Sequence, residues 1–238
     1  MLQLSGDFGE GEPVPGEAPY WEVPPTPPAD PSLNWLVQDQ LIDSLAHEDI
    51  PHLELELAIA MALRDYTHKS GIKHIALALS GGRDSAMVAL LVQRMLRYSH
   101  PTADEKELRK LVKERFLTAY MATANSGEAT ENAARELAEE LGASFHSFGI
   151  QDAVDTHTQL IQSVVGRELS WNDPVDDLAL QNVQARLRGS LIWMLANLNQ
   201  AILLSTSNKS EAAVGYTTMD GDTSGGLSPI ADVCPRAW

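Results

Sequence analysis

Residues 80–85 read Ser-Gly-Gly-Arg-Asp-Ser, and they interrupt an apolar run, IALAL, that resumes after Ser85 with the spacing of a helix. Gly81 and Gly82 permit close backbone approach and unusual dihedrals, so successive N–H groups can point inward at an anion. A helix opening near Ser85 adds the positive end of its dipole, and Ser80 and Ser85 add hydroxyls. These parts suit phosphate. Asp84 does not, because a carboxylate repels phosphate, and its presence makes sense if it holds a magnesium ion that bridges to the phosphates. The competing reading is a Gly-Gly turn in which Asp84 or Ser85 caps the helix. The spacing is neither GxGxxG nor GxxxxGK[ST].

The surrounding pattern predicts what must position this loop. IKHIALAL (72–79) is apolar without alternation, as expected of a parallel strand covered on both faces. Ahead of it, Leu53, Leu57, Ala60 and Leu63 or Arg64 recur at helical spacing before Lys69 and Gly71. Further strands are expected at 115–123, 144–150 and 201–206, with helices at 85–98, 127–142, 151–165 and 183–198. Residues 99–112 read as a surface insertion with a short charged helix. Strands alternating with helices predict an α/β fold with a mainly parallel twisted sheet, and ligands of such sheets bind beyond the carboxyl ends of the strands. The helical series Val183, Leu187, Leu191, Met194 and Leu198 is expected in the core or at a subunit interface.

Composition divides the chain and excludes some functions. Residues 1–34 hold eight of the thirteen prolines and six acids but no Lys or Arg, and read as a linker or tail. Residues 35–238 read as one domain. A formal net charge of −16 leaves no basic face for holding nucleic acid through its phosphates. The seven histidines lack metal-ligand spacing, and no apolar run approaches a membrane span. A single cysteine, Cys234, and a start without signal-peptide character point to the cytoplasm.

Ser-Gly-Gly-x-Asp-Ser resembles the pyrophosphate loop of the ATP pyrophosphatase superfamily, whose fold is of the adenine nucleotide alpha-hydrolase kind. Segments 182–197 (NVQARLRGSLIWMLAN) and 203–233 (LLSTSNKSEAAVGYTTMDGDTSGGLSPIADV) are similar to those of NAD synthetases, especially the glutamine-dependent type. The resemblance implies adenylation of nicotinic acid adenine dinucleotide by ATP, followed by displacement of AMP by ammonia. It implies that Ser80, Gly81, Gly82, Arg83, Asp84, Ser85 and Thr206 bind ATP, with Asp84 and Ser85 serving catalysis. Asp84 and Glu211 would hold Mg²⁺, and Asn182, Arg186, Glu211 and Asp222 would contact the dinucleotide. It also implies a homodimer with substrate sites at the interface, and the helix carrying Val183, Leu187, Leu191, Met194 and Leu198 is expected to make that contact. Two other readings stand beside it: a non-catalytic nucleotide-binding fragment of a longer synthetase, and another pyrophosphate-loop ligase such as a tRNA thiolase.

Three features depart from the family pattern. The glutamine-dependent enzymes carry an amidase domain where this sequence has its proline-rich segment, so free ammonia or a separate glutaminase is expected to supply nitrogen. The sequence reads CPRAW after Val233, with Pro235 near the place of an ATP-contacting lysine and Arg236 as a speculative substitute. An incomplete C-terminus is therefore expected. Arg83 and Met219 differ at variable motif positions.

Overall fold

The computed structural model describes residues 50–233. The acidic segment 1–34, the expected boundary after it, and Cys234, Pro235 and Arg236 lie outside the described residues. Within them the chain runs α1 (Ile50–Ser70), β1 (His74–Ala78), α2 (Arg83–Ser99), α3 (Glu105–Arg115), β2 (Phe116–Ala122), α4 (Glu128–Leu141), β3 (Ser144–Gly149), α5 (Gln151–Val165), α6 (Pro174–Leu198), β4 (Ala201–Leu204) and α7 (Lys209–Val214).

The four strands form one parallel sheet in the order β3-β2-β1-β4. Ile75 of β1 lies opposite Phe116 of β2 on one side and Ile202 of β4 on the other. The chain steps outward from β1 through β2 to β3 and then returns to the opposite flank of β1. The order therefore reverses between β1 and β4, and a crevice opens at the carboxyl ends of those two strands.

Both faces of the sheet are covered, which accounts for the unbroken apolar text of β1. Ile75, Leu77, Phe116, Tyr120, Ile202 and Leu204 pack against α1 to α4, through residues such as Leu63, Val88, Val112 and Ala138. Ala76, Ala119, Met121 and Leu203 point the other way, onto Val154 of α5 and Ile192 and Ala196 of α6. Alanines at 76, 119 and 196 keep that second interface short-branched, which lets helix and sheet approach closely.

Three local expectations need adjustment. Leu63, at 2% exposure, is the buried member of the α1 pattern, and Arg64 faces out. α3 is not a mere surface insertion, because Leu108 and Val112 are buried in the first core, and Asp104 and Glu107 form a capping box at its start. α6 begins at Pro174 rather than Val183, with the Asp173 carboxylate accepting from the N–H groups of Val175 (2.9 Å) and Asp176 (3.1 Å). Its apolar series also divides. Val183, Leu187 and Leu191 pack on the sheet, whereas Met194 and Leu198 are exposed.

Candidate active site

The 80–85 loop leaves β1 at the switch point. Gly81 has φ of +80°, and a Cβ there would lie 2.2 Å from the Thr130 carbonyl oxygen, so no side chain fits. α2 starts at Arg83 with Gly82 as its N-cap and no side-chain cap, which leaves the first helical N–H groups open. The cap is thus neither Asp84 nor Ser85. Ser85 is 2% exposed. Its hydroxyl donates to the Gly82 carbonyl (3.0 Å), accepts from the Ser80 N–H (3.3 Å) and meets the Ser80 hydroxyl (3.1 Å), so it ties the loop into a ring.

This loop and the ends of β2 and β4 border a cavity of about 480 Å³. Ser80, Gly82, Asp84, Ser85, Thr206, Glu211 and Asp222 line it. Gly81 and Arg83 are not in its wall, and Arg83 is exposed. A neighbouring cavity of about 610 Å³ is bordered by Asn182, Arg186, Trp171 and residues 215–219. The two share Asn125, Ala185, Arg188 and Asp222 as their common wall.

The segment 217–224 lies against α6, and three of the residues singled out in the sequence fasten it. Asn182 Oδ1 accepts from the Thr218 hydroxyl (2.8 Å), Arg186 Nε donates to the Met219 carbonyl (3.1 Å), and Asp222 Oδ2 accepts from the Thr218 N–H (2.9 Å). Gly189 of α6 permits this approach, since a Cβ there would sit 2.6 Å from Ser224 Oγ. The other end of the segment joins the sheet, where Leu227 bridges Leu204 and its carbonyl accepts from Ser205 N–H (2.9 Å).

Charge is unevenly placed in the first cavity. Asp84 Oδ1 is buried without a hydrogen-bond partner. Glu211 closes a capping box with Asn208 at the start of α7, which pins its carboxylate in place. Burial chiefly, with smaller contributions from Asp84 and Asp222, pushes the Glu211 carboxyl above the ordinary range, against the hydrogen bond from Asn208. Carboxylates crowded in this way, one with an orphaned oxygen, fit a divalent cation. Among the described residues no three or more Asp, Glu, His or Cys side chains could hold a metal by themselves. Magnesium takes one or two carboxylates and leaves its other positions to water and phosphate, so Asp84 and Glu211 are the residues that would hold it.

Arg188 escaped the sequence reading although it stands in the same QARLR stretch as Arg186. Two residues apart on a helix, the two side chains face different ways. Arg186 takes the 217–224 segment, while Arg188 reaches the end of β2, where Nε donates to the Met121 carbonyl (3.2 Å). Tyr120, whose hydroxyl meets Thr130 Oγ1 (2.8 Å) on the cavity wall, was likewise hidden inside a strand pattern.

Comparison with known proteins bears directly on this arrangement. A sequence profile described as NAD synthase matches residues 56–237, most of the chain. The chain belongs to the NAD synthase family. It is 34% identical over 185 residues to the glutamine-dependent NAD(+) synthetase of Aquifex aeolicus, an alignment covering 78% of this chain and 29% of that protein. Among solved structures, the glutamine-dependent NAD(+) synthetase of Cytophaga hutchinsonii matches with a TM-score of 0.72 and 38% identity, over 78% of this chain and 36% of that one. The enzyme from Acinetobacter baumannii, solved in complex with ADP, matches with a TM-score of 0.65 and 30% identity over 78% and 31%. The chain thus spans less than a third of the length of the curated relative. The fold is the parallel α/β kind of the NAD synthetases, as the sequence predicted, and family membership disfavours the tRNA thiolase reading.

Proposed function

We propose that this chain performs the synthetase chemistry of its family. ATP adenylates the nicotinate carboxylate of nicotinic acid adenine dinucleotide and releases pyrophosphate, and ammonia then displaces AMP to leave the amide of NAD. The observation that carries the reading is the open helix start behind Gly81 and Gly82, with the unpartnered Asp84 oxygen in the same cavity as Glu211.

In this reading the N–H groups of the 80–85 loop hold the ATP phosphates, and Ser85 keeps that loop closed on itself. Thr206, just past β4, offers its hydroxyl to the nucleotide from the other side of the switch point. Asp84 and Glu211 hold Mg²⁺, which when bound neutralises charge gathering on the departing pyrophosphate. The dinucleotide occupies the second cavity, and its carboxylate meets ATP across the common wall. Asn182, Arg186 and Asp222 serve that substrate by holding the 217–224 segment in place, which keeps water from the adenylate.

Ammonia supplies the amide nitrogen. A homodimer is proposed on the surface of α5, where Leu160, Ile161, Val164 and Val165 are all more than half exposed on one helical face. A cytoplasmic setting is proposed with it. Among the described residues no helix is long and apolar enough to cross a membrane.

Isotope exchange between pyrophosphate and ATP tests the first half-reaction. Exchange that requires nicotinic acid adenine dinucleotide and Mg²⁺ supports the reading. Exchange indifferent to the dinucleotide contradicts it.

A further inference from the structure

Three carboxylates line the first cavity, Asp84, Glu211 and Asp222, and among the described residues a single cationic side chain joins them, Arg188. Arg188 also stands in the common wall with the second cavity. Its guanidinium is tethered rather than ion-paired: Nε donates to the Met121 carbonyl (3.2 Å) and Nη2 reaches Thr123 Oγ1 at 3.4 Å. Both partners are buried at the carboxyl end of β2, and among the described residues Arg188 forms no salt bridge. Those two bonds use two of the five N–H donors, and among the described residues the other three have no hydrogen-bond partner. Burial disfavours the charged form of this side chain, with Tyr120 and Asp222 offsetting part of that cost. A half-buried guanidinium with three N–H donors to spare and no salt bridge among the described residues can take an anion.

Resting on the reading above, we propose that Arg188 binds the α-phosphoryl group of the nucleotide at the junction of the two cavities, the group that passes to the dinucleotide carboxylate. The division of labour within QARLR then follows from geometry. Arg186, exposed and bonded to Met219, shapes the wall, and Arg188 meets the reacting phosphorus centre. A planar fork held from behind at Nε can follow the oxygens of that centre as they spread in the transition state, with no reorganisation of its own. In the balance of the step, the carboxylate oxygen forms the new bond to the α-phosphorus and pyrophosphate leaves with the electron pair of the broken bond. Arg188 neither gains nor loses a proton.

The test is a calorimetric titration with adenosine and with AMP, in EDTA, on the unsubstituted chain and on Arg188→Gln. These ligands differ only in the phosphate, so the ratio of their affinities isolates its recognition from folding and from the metal. The unsubstituted chain is expected to bind AMP at least tenfold tighter than adenosine, and Arg188→Gln is expected to lose most of that ratio while adenosine affinity holds within about threefold. Arg188→Lys, which keeps the charge on a flexible stem, should recover part of the ratio, and it carries the comparison alone if the Gln variant fails to fold. An unchanged ratio in Arg188→Gln, or in both variants, overturns the assignment. So does failure of the unsubstituted chain to distinguish AMP from adenosine. Pyrophosphate exchange separates the two levels. Exchange that persists undiminished in Arg188→Gln removes only the role of Arg188, whereas absence of exchange in the unsubstituted chain removes the underlying reaction.

Discussion

At the scale of single residues, the site is a problem of crowded negative charge. Glu211 has its carboxyl raised above the ordinary value by burial first and by Asp84 and Asp222 next. In the metal-free protein the folded state therefore holds the Glu211 proton at a pH where the unfolded chain has released it. This contribution to stability is present below the unfolded pKa and is lost as pH rises through the raised one. Denaturant melts of the metal-free chain should show that fall, and Glu211→Gln should flatten it. The same proton competes with the cation, so Mg²⁺ should bind more weakly as pH falls, starting at a higher pH than an ordinary carboxylate would require. A titration of Mg²⁺ across pH checks this, and an affinity that responds only at the pH of a free glutamate contradicts it. Asp84→Ala removes the orphaned oxygen and should weaken Mg²⁺-dependent ATP binding at least tenfold with little change in thermal midpoint.

At the scale of elements, the loop and the two helices that frame it should respond differently. Gly81→Ala combines a positive φ with a Cβ driven 2.2 Å from the Thr130 carbonyl oxygen. The cost should be about 1 to 3 kcal/mol in denaturant unfolding, with nucleotide binding lost as the loop shifts. The start of α6 is held by a different device. The Asp176 carboxylate takes two bonds from Arg167 (both 2.6 Å) and one from the Ser170 N–H (3.1 Å). Chiefly through the Arg167 hydrogen bonds, that carboxyl is held below its ordinary range. Its contribution to stability is present above the unfolded pKa and is lost as pH falls through the lowered one. Asp176→Asn should destabilise the chain at neutral pH and make unfolding less sensitive to acid; equal acid sensitivity of both proteins contradicts the assignment.

These elements also mark what was legible in the sequence. β1 and the loop after it could be read directly, because a strand buried on both faces and a Gly-Gly turn leave local signals. The start of α6 was present as Asn-Asp-Pro but carried no apolar periodicity, since its first turns face solvent and a salt bridge. The buried side of α3 was masked by its charges, with only Leu108 and Val112 turned inward. Asn182, Arg186 and Asp222 were named as ligands, yet their visible bonds run to the 217–224 segment. Arg188 was missed because its environment depends on where the end of β2 falls, which no spacing along α6 reveals.

At the scale of the molecule, the exposed apolar face of α5 carries the dimer proposal. Val164, at 81% exposure, is the most exposed of its four apolar residues. Val164→Asp should shift sedimentation from dimer to monomer without lowering the thermal midpoint of the isolated chain by more than about 0.5 kcal/mol equivalent. A dimer that survives this change must use another surface. The larger claim is that the switch point between β1 and β4, with the 80–85 loop on one side and Thr206 on the other, forms and aminates an adenylate. The most direct measurement incubates the chain with ATP, Mg²⁺, ammonium and nicotinic acid adenine dinucleotide and resolves NAD and AMP by chromatography. Equal amounts of the two products, abolished in Asp84→Ala, are the predicted result. A folded chain that binds ATP under these conditions yet yields neither product contradicts the account.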